Sequence, residues 1–400
     1  MNQKMNYRCE ILNPKIESPQ NFDFWDELIN LDCFSVVKKT DDLECLQDPC
    51  LQDWRRFENF IIFGTGGSAL GGKCLCELAK SEKKIKFIDN LDPTQLAEIF
   101  SETDFSKTGF LGISKSGETL ETISQILLAL QFLQKNSLDP KKHFVFITEP
   151  KLSSLRELAV HYDIFCLDHP NTIGGRFSVF SIVGMLPAVL AGLDPNEIRE
   201  GGKEILENFE QIISGANFVF KNFSEGIAQH VSFIYSEKLK LFGQWLAQLY
   251  AESTGKSGIG ITPLTAIGAV DQHSQLQLYL DGPNDKCFSF FVEKNLEDEL
   301  KISEESYLPY SFKFLANKNV SEIFSAQSQA TISVLAEQNR SIRIFEFSEI
   351  TPKLLGSLFM HFMLEVACVS KLINVNPFNQ PAVEKGKILT KKILDESHGD

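Results

Sequence analysis

The sequence has no excess of positive charge: 39 Lys and Arg stand against 53 Asp and Glu, a formal net charge of −14. A protein that tracks a phosphate backbone needs a basic face, so nucleic acid is not an expected partner. A small anionic substrate stays open, because a few local cations and backbone amides suffice to hold one. A cysteine framework is lacking too. The nine cysteines are scattered singly apart from Cys74-Leu75-Cys76. That odd count, with no repeated spacing and no secretory apolar segment at the N-terminus, points to free thiols and a cytoplasmic location. Cys74 and Cys76 have no His or Cys pair at ligand spacing, so they read as helix packing and no metal is expected. Nor is any apolar stretch read as long enough to span a bilayer, so no membrane association is expected. There is no short tandem repeat and no low-complexity segment.

What is present is a 400-residue chain, 43% hydrophobic and 23% charged, long enough for two or three domains with sizeable cores. Residues 1–55 read as a helical leader. From there, short β-rich runs alternate with helical stretches. FENFIIFG (57–64), KIKFID (84–89), TGFLGIS (108–114), FVFIT (144–148) and DIFCLD (163–168) are strand candidates, with a helix over 118–135 between the third and fourth. A long helical region runs to about residue 228. A second block follows, with strands HVSFIYSE (230–237), KCFSFFVE (286–293) and SIRIFEFSEI (341–350) and helices over 239–253 and 354–373. Strands alternating with amphipathic helices imply parallel sheets covered on both faces. The expected organisation is a leader (1–55), a first α/β domain (56–195), a second α/β domain with preceding helices (196–375) and a tail (376–400) that begins in a turn and becomes a basic helix.

Five stretches carry chemistry. IIFGTGGSALGGK (61–73) places a glycine loop between a strand and a helix beginning near Ser68. Gly64-x-Gly66-x-x-Ala69 fits a dinucleotide fingerprint, but glycines that let backbone amides approach an anion serve cofactor phosphate, sugar phosphate and a tight turn equally well. GISKSGETLET (112–122) also joins strand to helix and offers Ser114, Lys115, Ser116 and Thr119 around Gly117. Hydroxyls, a cation and unpaired amides at a helix start suit a phosphate monoester. The competing reading, a Ser/Thr-rich cap, has no use for Lys115. NTIGGRFSVFS (171–181) brings Arg176 close behind two glycines, either to stabilise an oxyanion or to form a structural ion pair. In QWLAQLYAESTGKSGIG (244–260), Gln248 and Glu252 share a helix face, and Gln244 and Lys256 lie nearby. A carboxylate closing so apolar a run is solvated, paired or working. With His273 in DQHS it makes an acid–base set. The fifth stretch, NPFNQPAVEKGK (376–387), taken alone, reads as a solvated basic face.

Taken together and in order, the glycine loop, SKSGETLET, GGRFSVFS, QLYAESTGKSGIG, DQHSQLQL and NPFNQPAVEKGK resemble the glucose-6-phosphate isomerase family, within the superfamily of tandem sugar-isomerase domains. The resemblance covers roughly residues 60–390. It implies two parallel-sheet α/β/α sandwich domains with a helical C-terminal tail. It implies interconversion of glucose 6-phosphate and fructose 6-phosphate through a cis-enediol, a reaction of glycolysis and gluconeogenesis, without metal or other cofactor. It assigns substrate phosphate to Ser114, Lys115, Ser116 and Thr119, sugar contacts to Gly67, Ser68, Gln248 and Gln380, and the base to Glu252. Arg176 would stabilise the intermediate, and His273 and Lys387 would serve ring opening, with His273 donated across a homodimer interface. Asn379 and Ala382 depart from the Asp and Gly usual at those positions. A nicotinamide-dependent dehydrogenase and a non-catalytic sugar-phosphate sensor are the rival readings. The first rests only on the glycine fingerprint, and the second conflicts with joint retention of Glu252, His273, Arg176 and Lys387.

Overall fold

The computed structural model describes residues 7–12, 23–294, 296, 298–303 and 308–396. The strands in it are β1 (Tyr7–Leu12), β2 (Asn59–Phe63), β3 (Lys84–Ile88), β4 (Thr108–Ile113), β5 (Phe144–Thr148), β6 (Phe165–Asp168), β7 (Gln229–Tyr235), β8 (Thr262–Ile267), β9 (Lys286–Glu293) and β10 (Ser341–Phe347). They form two five-stranded sheets, ordered β3-β2-β4-β5-β6 and β1-β10-β9-β7-β8. The first is parallel throughout, and the second is parallel except for β1, which runs antiparallel to β10. β4 and β5 are buried at every residue. That is why they read as unbroken apolar runs rather than as alternation: helices cover both faces.

Three sequence expectations are corrected. The leader is not simply helical, because residues 7–12 form β1, an edge strand whose donors and acceptors are satisfied by β10. From residue 23 the leader is short helical segments, while residues 1–6 and 13–22, like 397–400 of the tail, lie outside the described residues. The helix after the glycine loop starts at Leu70, preceded by a 3-10 turn over Gly66–Ser68. Finally, the Pro352–Leu372 helix is long and apolar enough to cross a membrane by length and composition. Its residues 354–370 are all buried in the fold, however, and it packs on the Pro195–Leu206, Phe209–Ser224 and Lys240–Thr254 helices. β8 was not anticipated. Its Pro263 argues against a strand, yet β8 lies at the sheet edge, where a missing N–H is tolerated.

The second sheet is pinned to its helices by a buried polar network. Arg343 of β10 and Glu365 of the Pro352–Leu372 helix are both fully buried and pair through two contacts of 2.5 and 2.8 Å. Arg343 Nε donates to Ser289 Oγ at 2.6 Å, and His230 Nε2 lies 2.6 Å from the same hydroxyl. Phe218, Phe345 and Phe362 surround the guanidinium at 5.0–5.4 Å. Tyr250 donates its hydroxyl to Glu365, so the network also holds the Lys240–Thr254 helix, which carries Gln248 and Glu252. Burial alone would raise the Glu365 pKa, but Arg343 outweighs it and holds the carboxyl below the usual range.

His230 sets an expected pH dependence. Burial, aided by Arg343, lowers its pKa from 6.5 to about 3. A folded-state value below the unfolded one means that the unfolded chain binds more protons between them, so stability is full above about pH 6.5 and declines as pH falls toward about 3. Urea unfolding measured from neutral to acid pH should show that decline, and it should be shallower over the same window in His230→Gln. An identical slope in the variant would show that His230 is not buried as the neutral imidazole.

Candidate active site

The residues expected to contact substrate gather where the strand order of the first sheet reverses. β2 lies between β3 and β4, so chain leaving β2 and β4 diverges and opens a crevice at their carboxyl ends, the usual ligand position in open parallel sheets. The glycine loop follows β2 and the Ser114–Thr119 loop follows β4. In the latter, Ser114 Oγ bonds Thr119 Oγ1 at 3.0 Å and accepts from Gly117 N at 3.1 Å, while Ser116 Oγ accepts from Glu118 N at 3.2 Å. Thr119 is the N-cap of the Leu120–Lys135 helix and its side chain makes no cap bond. The capping role that competed with phosphate binding is therefore not performed, and the first-turn amides retain their capacity for an anion.

Lys115 points its ammonium to Glu149, at 3.5 Å, and to the Asn171 carbonyl, at 3.2 Å. It thereby ties the loop after β4 to the segment that leads to Arg176. Burial tends to raise the Glu149 pKa, but Lys151 and Lys115 outweigh it and hold the carboxyl below its ordinary value.

Arg176 is 3% exposed and ties its own loop to two other lengths of the chain. Its Nε donates to Ser253 Oγ at 2.9 Å, Nη1 to Glu252 Oε2 at 3.1 Å and to Gln380 Oε1 at 2.6 Å, and Nη2 to the carbonyls of Asn379 at 3.0 Å and of Pro377. Burial lowers its pKa and Glu252 opposes that shift. Glu252, with its side chain 29% exposed, also accepts from Gln248 Nε2 at 2.8 Å through its other oxygen. The carboxylate is thus both paired and open to a ligand. The Gln248 Oε1 atom is buried without a hydrogen-bond partner among the described residues.

Gly67 joins the two halves of the site. A Cβ there would lie 2.2 Å from the Gly175 carbonyl carbon and 2.6 Å from the Arg176 nitrogen. Only glycine permits this backbone-to-backbone approach. Ser68 ends the same 3-10 turn.

Of the residues singled out from sequence, Gly67, Arg176, Gln248, Glu252 and Gln380 come together, with the Ser114–Thr119 loop on the neighbouring strand end. His273 follows the Val270–Gln272 turn and is exposed. Lys387 lies on the Glu384–Glu396 helix, 59% exposed and paired with Glu384 at 2.7 Å. Neither forms a hydrogen bond or ion pair with Glu252 within the described residues. Gln244 is exposed and takes no part. Ser253, and the carbonyls of Pro377 and Asn379, were missed. Ser253 was legible as the neighbour of Glu252, whereas a backbone carbonyl leaves no mark in a sequence. Among the described residues, no group of three or more His, Cys, Asp or Glu is placed to hold a metal ion.

This arrangement sets a glycine loop, an uncapped helix start and a buried guanidinium around one carboxylate. The Phosphoglucose isomerase family profile matches residues 52–274. The probable glucose-6-phosphate isomerase of Methanococcus maripaludis is 34% identical over 371 residues, covering 86% of this chain and 81% of that protein. A hypothetical protein of Thermus thermophilus superposes with a TM-score of 0.84 at 30% identity, covering 91% of this chain and 90% of that one. A glucose-6-phosphate isomerase of Chlamydia trachomatis shares the fold, with a TM-score of 0.77 at 24% identity and coverage of 90% and 74%. The chain belongs to the phosphoglucose isomerase family, and its reaction is the reversible isomerisation of glucose 6-phosphate and fructose 6-phosphate.

Gly67→Ala should separate the glycine loop from the Gly175–Arg176 backbone. Turnover of fructose 6-phosphate should fall by about 10²-fold, the scale for misplacing catalytic groups by an ångström, while circular dichroism stays close to wild type. Undiminished turnover would show that the contact does not position Arg176.

Proposed function

We propose that the isomerisation passes through a cis-enediol, with Glu252 taking the proton from carbon 2 and returning it to carbon 1. The observation that carries this reading is the setting of Glu252. One oxygen is held by Gln248 and the other by Arg176, and the carboxylate stays partly open beside the carboxyl ends of the first sheet. One base on one face of a planar enediol serves both transfers. Arg176, already desolvated, supplies preorganised positive charge for the enediolate oxygens. The hydroxyls of Ser114, Ser116 and Thr119 and the uncapped helix start take the phosphate, with Lys115 steadying the loop through Glu149. Gly67 and Ser68 line the sugar, and Gln248 and Gln380 hold substrate hydroxyls. Grip on the phosphate orients carbons that lie well away from it.

Ring opening is assigned to His273 and Lys387, which exchange a proton with the ring oxygen. The assembly in this reading is a homodimer with His273 contributed from the second copy. Two features support it: the exposure of His273, and the exposed apolar row Val383, Ile388, Leu389, Ile393 and Leu394 around a tail helix that buries no residue. The division into a leader (1–55), tandem sugar-isomerase domains (56–195 and 196–375) and a tail (376–400), and a cytoplasmic location, belong to the same reading.

Two experiments test it. Glu252→Gln keeps size and hydrogen bonding but removes the proton acceptor, so isomerisation should drop by roughly 10²–10⁴-fold, with folding unchanged. In deuterated water, NMR should show exchange of the carbon 2 hydrogen of glucose 6-phosphate collapsing with it. Exchange at near wild-type rate would remove Glu252 as the base. Separately, inactive Glu252→Gln and His273→Ala proteins mixed under subunit-exchange conditions should regain some of the activity, because a hybrid dimer contains one intact site. No recovery despite demonstrated exchange would place His273 in its own subunit's site.

A further inference from the structure

Between Gln248 and Gly260 the chain carries two charged residues, Glu252 and Lys256, and the mechanism above uses only the first. The Lys240–Thr254 helix closes with Gly255 N donating to Ala251 O at 3.0 Å. The chain then reverses in a tight turn. Lys256 and Ile259 exchange backbone hydrogen bonds of 3.0 Å, with Ser257 and Gly258 at φ 54° and 78°, as in the two-residue turns that need left-handed backbone. The reversal folds the Lys256 side chain back over the helix end. Its Nζ donates to the carbonyls of Glu252, at 2.6 Å, and Ser253, at 2.7 Å.

Those carbonyls are among the last four of the helix, which lack partners within it and carry the negative end of its dipole. They belong to the two residues that Arg176 holds through their side chains. The helix end is therefore gripped twice, from the side-chain side by Arg176 and from the backbone side by Lys256.

We propose that Lys256 is a positioning residue for the isomerisation, its ammonium clamping the Glu252 and Ser253 carbonyls so that the Glu252 carboxylate keeps its orientation while it moves the proton. This rests on Glu252 being the base. The state of the clamp depends on pH. Burial, and then Arg176, lower the Lys256 pKa from 10.5 to about 8, with Glu252 opposing. The other side chains reaching this helix end, Gln248, Ser253, Ser370 and Gln380, are neutral. Below about pH 8 the ammonium is charged and the clamp is complete, and as pH rises through that value the charge is lost.

The test uses full-length Lys256→Met and Lys256→Arg, with kcat and KM for fructose 6-phosphate followed from about pH 6 to about pH 10 and carbon 2 deuterium exchange measured alongside. In Lys256→Met, kcat at neutral pH should fall about tenfold, with KM changed less than about twofold because the phosphate loop is untouched. Wild-type kcat should decline as pH rises through about 8, and that decline should be absent in Lys256→Met. Lys256→Arg should keep most of kcat and move that decline beyond the range, because guanidinium does not deprotonate there. Wild-type kcat and an unchanged profile in Lys256→Met would overturn the proposal. So would a decline persisting at the wild-type position in Lys256→Arg, which decides the matter if the methionine variant does not fold. Glu252→Gln separates the two claims: if it still exchanges carbon 2 deuterium the base assignment fails, whereas if it is inactive while both Lys256 variants behave as wild type, only the role of Lys256 falls.

Discussion

The buried guanidinium of Arg176 is the constraint on which the site depends. It is carried on a loop pressed against the glycine turn, and its donors end on the Lys240–Thr254 helix and on the carbonyls of the Pro377–Asn379 turn. A fork of five fixed donors is suited to such a junction, and a lysine is not. Removing a charge from water costs several kcal/mol unless good geometry and further hydrogen bonds compensate it. Here Glu252 supplies the countercharge and the carbonyls complete the set. The cost of burial therefore becomes positional accuracy: three separate lengths of chain meet only if all of these bonds form.

A second buried cation, Arg343, has a parallel role in the second sheet. Its pair with Glu365 has no exposure at all. Tyr250, two residues before Glu252, is drawn to the same carboxylate. Tyr250 and Glu252 lie on different faces of one helix. One face is thereby anchored in the core of the second sheet while the other presents Gln248 and Glu252 to the crevice. A helix held from both sides has little freedom to roll, as the proton transfer between adjacent carbons proposed for Glu252 requires.

The Ser114–Thr119 loop, proposed to take the phosphate, behaves differently. Its hydroxyls bond mainly to one another and to local amides, and the helix start behind it is uncapped. These are neutral groups with spare capacity, which the phosphate proposed to bind there would recruit without breaking an ion pair. In the proposed mechanism the two halves of the site thus divide the work: recognition rests on adaptable neutral donors, and chemistry on a rigid charged cluster. The cluster sits where segments from both sheets' surroundings meet, so more of the structure fixes it.

Much of this was legible in the sequence. The buried central strands β4 and β5 announce themselves as apolar runs because both of their faces are covered. The i, i+4 spacing of Gln248 and Glu252 placed them on one helix face, and the residue types of Ser114, Lys115 and Thr119 suggested the anion-binding role proposed for that loop. What local pattern could not supply was anything decided at a distance. β1 is a strand because β10 offers it an edge, and Pro263 is tolerated because β8 lies at one. For Arg176, residue type and neighbours left an oxyanion donor and a structural ion pair equally open. In the structure the guanidinium makes the ion pair, and its remaining donors go to Ser253, Gln380 and two backbone carbonyls, a set that depends on residues 76 to 204 positions away. Lys256 belongs to the same class. Its type and position were plain, but its hold on the helix end exists only because a left-handed turn folds it back. The sequence by itself determined the chemical inventory and the local elements, since these depend on residue type and short-range periodicity. The tertiary structure decided which charges were buried, which carbonyls they reached and which side of each helix faced the crevice, because those depend on contacts between segments that sequence order keeps apart.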